Sequence, residues 1–162
     1  MTIHVDPFDR SSITSAIRQL RKCSGDLDKK ANELCERLAL MGALYAAWNF
    51  SGVLYAGDVD CNVSVERKGQ NAYAIKASGQ TVLFMEFGAG VNGYGHPMAP
   101  AFGMGPGTYP GQTHAFDPNG WWFRQDGQAI HTYGNVPGMP MYNAEKDLTN
   151  DIEQVAREVL QL

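Results

Sequence analysis

Between Gly88 and Gly120 the chain runs 33 residues with nine glycines, five prolines and a single formal charge, Asp117. Neither a helix nor a central strand persists through proline and glycine at that density. The same stretch nevertheless carries Tyr94, Met98, Phe102, Met104, Tyr109 and Phe116. Disordered segments are poor in aromatics and rich in charge, and flexible tethers lack large apolar side chains. A structureless loop of this length is uncommon in a compact domain unless it is functional. The stretch therefore reads as a loop whose apolar side chains pack against something, with a second subunit as the candidate surface and those six residues as the expected interface.

The charges elsewhere support an associating surface. The 162 residues carry 13 basic and 17 acidic side chains, a net −4, so no basic excess advertises nucleic-acid binding. Residues 69–140 hold only Lys76, Glu86, Asp117, Arg124 and Asp126. A section so short of charge cannot keep its whole surface wet, which marks association. Cys23, Cys35 and Cys61 are odd in number and lack CxxC spacing, so neither a disulfide framework nor a zinc site is expected. Asp6 and Asp9 sit where a signal peptide needs an apolar core. No apolar run approaches the roughly 20 residues of a membrane span. The expectation is a soluble protein of a reducing compartment, with no membrane partner.

The length suits one domain, 1–162. Its first part, 1–50, reads as a helical pair. Ile13, Ile17 and Leu20 repeat at i, i+4, i+7 with Asp9 or Ser11 as N-cap and an end near Gly25. Leu27, Ala31, Leu34, Leu38, Met41, Tyr45 and Trp48 then share one face of a second helix, from about Asp26 to Ala47. Over 51–87 the period drops to two: Val53 and Tyr55, then Cys61, Val63 and Val65, then Tyr73, Ile75 and Ala77. Short glycine-containing breaks favour hairpins. Val82 to Phe87 is too apolar to alternate and reads as either a strand or a buried helical turn. After the loop at 88–120, segment 121–134 holds Trp121-Trp122-Phe123 and Ala129 to Tyr133 as two strands around Asp126-Gly127. A C-terminal helix fills 140–162, with Pro140 in its first turn. The expected class is α+β: one antiparallel sheet of about five to six short strands, covered by the N-terminal helical pair and the C-terminal helix. Leu34, Leu38, Leu148, Ile152 and Val155 are expected in the core.

Candidate chemistry is sparse. Glu86 among Leu83, Phe84, Met85 and Phe87 could act as an acid or base with a histidine, as in a small hydrolase. Its structural reading is a carboxylate bonded to amides of the Gly88-Ala89-Gly90 turn, or paired with Arg124. His96, His114 and His131 with Asp117 and Asp126 match no metal-ligand spacing, and no turn or helix start presents Cys35 or Cys61 as a nucleophile. Trp121 and Trp122 could stack bases or sugars in a ligand-binding module, although core plus interface accounts for them better. No catalytic, cofactor or metal residue is assigned.

Four segments in this order carry a family resemblance: Val82 to Gly90, Gly103 to Tyr109, Asn119 to Phe123, and Pro140 to Ala144. Together they resemble the tail-component family of tailed phages and prophages, the neck or tail-completion proteins related to gene product ten of the HK-type lambdoid phage. Glu86, Gly88, Gly90, Trp121 and Trp122 are the structural motif. Departures are Tyr133 before Gly134, where a histidine is expected, and Gly138, where alanine is commoner. The resemblance implies a structural, non-enzymatic virion protein of the head–tail junction, assembled in the host cytoplasm. It implies a ring homo-oligomer that contacts neighbouring connector, terminator or tail-tube proteins, through which genome DNA passes without tight binding. A tail terminator or other minor tail protein is the alternative within the class.

Overall fold

The computed structural model describes residues 9–53, 60–104 and 117–160. Tyr55, Tyr109, His114 and Phe116 lie outside the described residues.

Helix α1 (Arg10–Gly52) is one element of 43 residues, about 65 Å long, and not the expected pair. Asp9 caps it, its carboxylate accepting from the amides of Ser11 and Ser12. Gly25 does not stop the helix. A lone glycine costs about 1 kcal/mol against alanine, and Leu20 and Leu27 lie seven residues apart, so the apolar seam stays in phase across it. The helix also runs past Ala47, through Phe50 to Gly52.

Strands β1 (Asn62–Gly69) and β2 (Ala72–Ser78) form an antiparallel hairpin with Val63 opposite Ala77 and Val65 opposite Ile75. That face packs on α1. The junction is tight at Gly42, where a Cβ would lie 2.4 Å from Ile75 Cδ1 and 3.0 Å from Leu148 Cδ2. Val82–Phe87 is a helical turn, α2, and it interrupts the run of strands. The strands described therefore form three separate two-stranded ladders and not one sheet. Strand β3 (Ala89–Gly90) pairs with β6 (Gly134–Asn135), and β4 (Trp121–Gln125) pairs with β5 (Gln128–Thr132). Helices with small antiparallel sheets place the chain broadly in the α+β class.

Helix α3 (Pro140–Leu160) runs antiparallel along the second half of α1. Asn49 donates to Pro140 O at 3.2 Å, the Tyr45 hydroxyl donates to Asp151, Arg37 pairs with Glu158 at 3.6 Å, and Lys30 Nζ donates to Leu160 O at 3.1 Å. The core centres on Phe50, Val82 and Met85, with Val63, Ala77 and Met141 around them. Val155 is buried, and Leu34, Leu38 and Leu148 are half-buried. One expectation fails: Ile152 is 44% exposed; Trp48, at the end of the same helical face as Leu38, is 79% exposed. Val159, one further turn along α3's inner face, is buried where Ile152 is not.

Candidate functional site

Glu86, Gly88, His96 and the start of α3 come together at one point. Helix α2 ends with its last carbonyls turned toward the segment that begins α3. Gly138 N–H donates to Met85 O at 2.8 Å and Met139 N–H to Glu86 O at 3.3 Å. The Glu86 side chain completes the joint: Oε2 accepts from Met141 N–H at 2.7 Å and Oε1 from Tyr142 N–H at 3.1 Å. Pro140 lacks an amide hydrogen, so these are the first two amides of the helix that need an acceptor. A negative carboxylate there also complements the helix dipole. Glu86 is thus the N-cap of a helix 55 residues downstream, and its partner is not Arg124, which lies on the exposed face of β4.

His96 adds the third bond. Its Nε2 lies 2.9 Å from Glu86 Oε1, and Met98 N–H donates to Nδ1 at 3.0 Å. An N–H pointing at Nδ1 requires a lone pair there, so the bonding pattern assigns the proton to Nε2, which donates to the carboxylate. The ring is buried between Phe87, centroids 4.5 Å apart, and Tyr142, 5.5 Å apart. A carboxylate and an imidazole at hydrogen-bond distance superficially match an acid–base pair. Here both side chains are buried, and each is already bonded to backbone of its own chain. The arrangement ties the loop after α2 to the start of α3.

The loop continues from this anchor onto the surface. Tyr94, Met98 and Phe102 are exposed, Phe102 by 62%, and Met104 is half-buried. Pro100–Phe102 forms a single 3-10 turn. Met98, Phe102 and Met104 form one wall of a groove of about 600 Å³, whose floor and far wall come from β2, Phe87 and the first turns of α3. The lining is almost wholly apolar, with Lys76 and Glu145 as its accessible charges.

The tryptophans separate. Trp121 and Trp122 are adjacent on β4 and so face opposite sides. Trp121 packs over Gly90, where a Cβ would lie 2.6 Å from the indole and where φ is +63°. Gly88, at φ +81°, likewise leaves no room, with Asn135 O 2.7 Å from where its Cβ would be. Trp122 is 68% exposed and lies against His131, centroids 4.8 Å apart, with Tyr133 beyond. The two indoles therefore cannot act as one stacking platform.

Among the described residues no cluster of three or more His, Cys, Asp or Glu could hold a metal ion. His131 bonds Asn119 O at 2.8 Å, and Asp117 accepts from Asn119 N–H at 2.9 Å. Burial, with the Asp60 charge beside it, pushes the Cys61 thiol up, which keeps it a poor nucleophile. The helices described are not long and apolar enough to cross a membrane. What sequence reasoning missed is His96 as the partner of Glu86. The available signal was a histidine ten residues after a carboxylate in an otherwise uncharged stretch. No family model, curated protein or solved structure matches this chain.

Proposed function

We propose that this protein is a non-enzymatic structural component of a phage head–tail junction, of the neck or tail-completion type, and that it forms a ring through which DNA passes. The observation that carries the proposal is a pair of separate apolar surfaces on one protomer. One is the loop bearing Tyr94, Met98 and Phe102. The other is the outward face of α1, where Leu40, Leu44 and Trp48 follow at i, i+4 and i+8 and all stand exposed. A head-to-tail ring requires two different faces on each subunit, and isolated monomers rarely expose large apolar patches. The motif residues Glu86, Gly88, Gly90 and Trp121 serve the fold that presents these faces. The net charge of −4 suits a lumen that repels phosphate and leaves the duplex free to slide.

The test is complementation of a phage lacking this gene. Replacing Tyr94 and Phe102 with serine leaves a folded monomer and abolishes head–tail joining. Normal virion incorporation of that variant would overturn the proposal. A steeply salt-dependent, sub-micromolar affinity for duplex DNA in a mobility-shift assay would overturn the sliding-channel part.

A further inference from the structure

The His96 side chain is 2% exposed, and both of its ring nitrogens are committed. Nε2 lies 2.9 Å from Glu86 Oε1, and Nδ1 accepts from Met98 N–H at 3.0 Å. The two bonds hold different things. The Nε2 bond ties the ring to the cap of α3. The Nδ1 bond sets the direction in which the chain leaves the ring, because Pro97 between them has a fixed φ and no amide hydrogen to offer. Beyond Met98 the segment is bonded within itself: Ala101 and Phe102 N–H donate to Met98 O, and Met104 N–H donates to Ala99 O. It can therefore shift as one piece, and it carries Met98, Phe102 and Met104, one wall of the apolar groove.

We propose that His96 is a pH-sensitive latch: protonating its ring frees the Met98–Met104 wall of the groove while the cap on α3 stays in place. The inference goes beyond the ring reading and does not depend on it. Neutral histidine carries one N–H and the imidazolium carries two. The second proton can go only to Nδ1, the nitrogen whose lone pair Met98 N–H now uses. Two donors then face each other across 3.0 Å, and a buried donor without an acceptor is costly. Nε2–H is present in both forms, and the added charge strengthens its bond to the carboxylate. Acid thus strikes the Met98 bond and spares the three that Glu86 accepts. The surrounding groups leave that asymmetry intact. Helix α2 brings Glu86 to the ring, and α3 brings Tyr142, with Lys146 over the tyrosine ring at 5.7 Å. Glu145 of α3 and Lys76 of β2 line the groove, and Tyr94 of the loop is 64% exposed. Of these, Glu86 is the one whose side chain bonds to the imidazole.

NMR of the full chain labelled with nitrogen-15 tests the latch between about pH 8 and about pH 5, where histidines change charge. Long-range correlations of the imidazole report which nitrogen is protonated, and amide exchange, corrected for its intrinsic pH dependence, reports each bond. At the upper pH the proton is on Nε2. As the ring charges, Met98 N–H loses about tenfold in protection, the worth of one hydrogen bond, while Met141 and Tyr142 N–H keep theirs. Two substitutions separate the nitrogens. Asparagine places an acceptor where Nδ1 lies and can bond the amide two residues on, so His96→Asn holds Met98 at every pH. Glutamine reaches toward Glu86 but offers nothing at Nδ1, so His96→Gln leaves Met98 unprotected at every pH. Four results would overturn the latch: a ring that stays neutral down to about pH 5, a neutral ring with its proton on Nδ1, a charged ring with Met98 still protected, or loss of protection at Met98, Met141 and Tyr142 together. The wild-type titration decides the matter even if either variant fails to fold.

Discussion

Removing the Glu86 carboxylate isolates what that side chain contributes. Glu86→Ala strips the acceptor from three donors: Met141 N–H, Tyr142 N–H and His96 Nε2–H. A buried donor left unpaired costs about 1–3 kcal/mol. The two amides are only part-buried, so water recovers some of this, and the expected loss is about 3–6 kcal/mol by that measure. Against a typical stability of about 5–15 kcal/mol, this leaves a marginal fold. Glu86→Gln behaves differently. Its oxygen can serve His96 and Tyr142, but its NH2 group then faces Met141 N–H, and the charge at the helix N-terminus is gone. One lost bond and the lost dipole interaction together cost about 1–3 kcal/mol. Urea titrations followed by circular dichroism measure both, and thermal melts check them at about 2–4 °C per kcal/mol for a chain of this size. An alanine variant within about 1 kcal/mol of wild type would refute the capping role. A glutamine variant with normal stability and assembly but no function would instead revive acid–base chemistry at Glu86 and His96.

Two glycines of the same helix should respond with opposite signs. Gly25 faces open space, so Gly25→Ala stabilises by about 1 kcal/mol through helix propensity, and a loss would mean that the helix does break there. Gly42→Ala gains the same propensity but drives a Cβ onto Ile75 and Leu148. Overpacking of about 1–3 kcal/mol outweighs the gain, and a stabilised variant in urea titration would sink the close-approach argument. The Tyr45 hydroxyl donates to Asp151, and that bond raises its pKa above the ordinary 10.0. A raised folded-state value means the contribution is present in full below 10.0 and is lost as pH rises through the folded value. The stability difference between wild type and Tyr45→Phe should therefore shrink across the alkaline range. A difference independent of pH would refute the link.

The periodic parts of the chain were legible in the sequence. The Val63/Val65 and Ile75/Ala77 alternation, the hairpin turning at Asp126-Gly127, and Pro140 as the first residue of α3 all lie where pattern places them. Gly25 misled because a glycine followed by aspartate has the same composition as a stop and a new start. Only the seven-residue step from Leu20 to Leu27 shows that the face is unbroken. Glu86 reads from the sequence as a carboxylate bonded to the Gly88-Ala89-Gly90 amides or to Arg124, and its actual partners were illegible. They lie ten and 55 residues away, across a chain reversal that no local pattern encodes. Trp121 and Trp122 are adjacent letters with opposite fates, which alternation along a strand predicts once the strand is recognised.

The separation between α1 and α3 has a consequence for synthesis. Tyr45 and Asp151 are 106 residues apart, and Lys30 and Leu160 are 130 apart. At translation rates of about 5–20 residues per second, the inner face of α1 waits about 5–26 s for its partner to be made. During that interval Leu34, Leu38 and Tyr45 lack their α3 partners, and the inner face of α1 stays uncovered by α3. Two nascent chains on neighbouring ribosomes can pair through it before either α3 exists. The Glu86 cap gates the escape from that state, since α3 lacks its first acceptors until α2 is in place. Slowing translation upstream of residue 140 should therefore raise the misassembled fraction more than slowing it within α1.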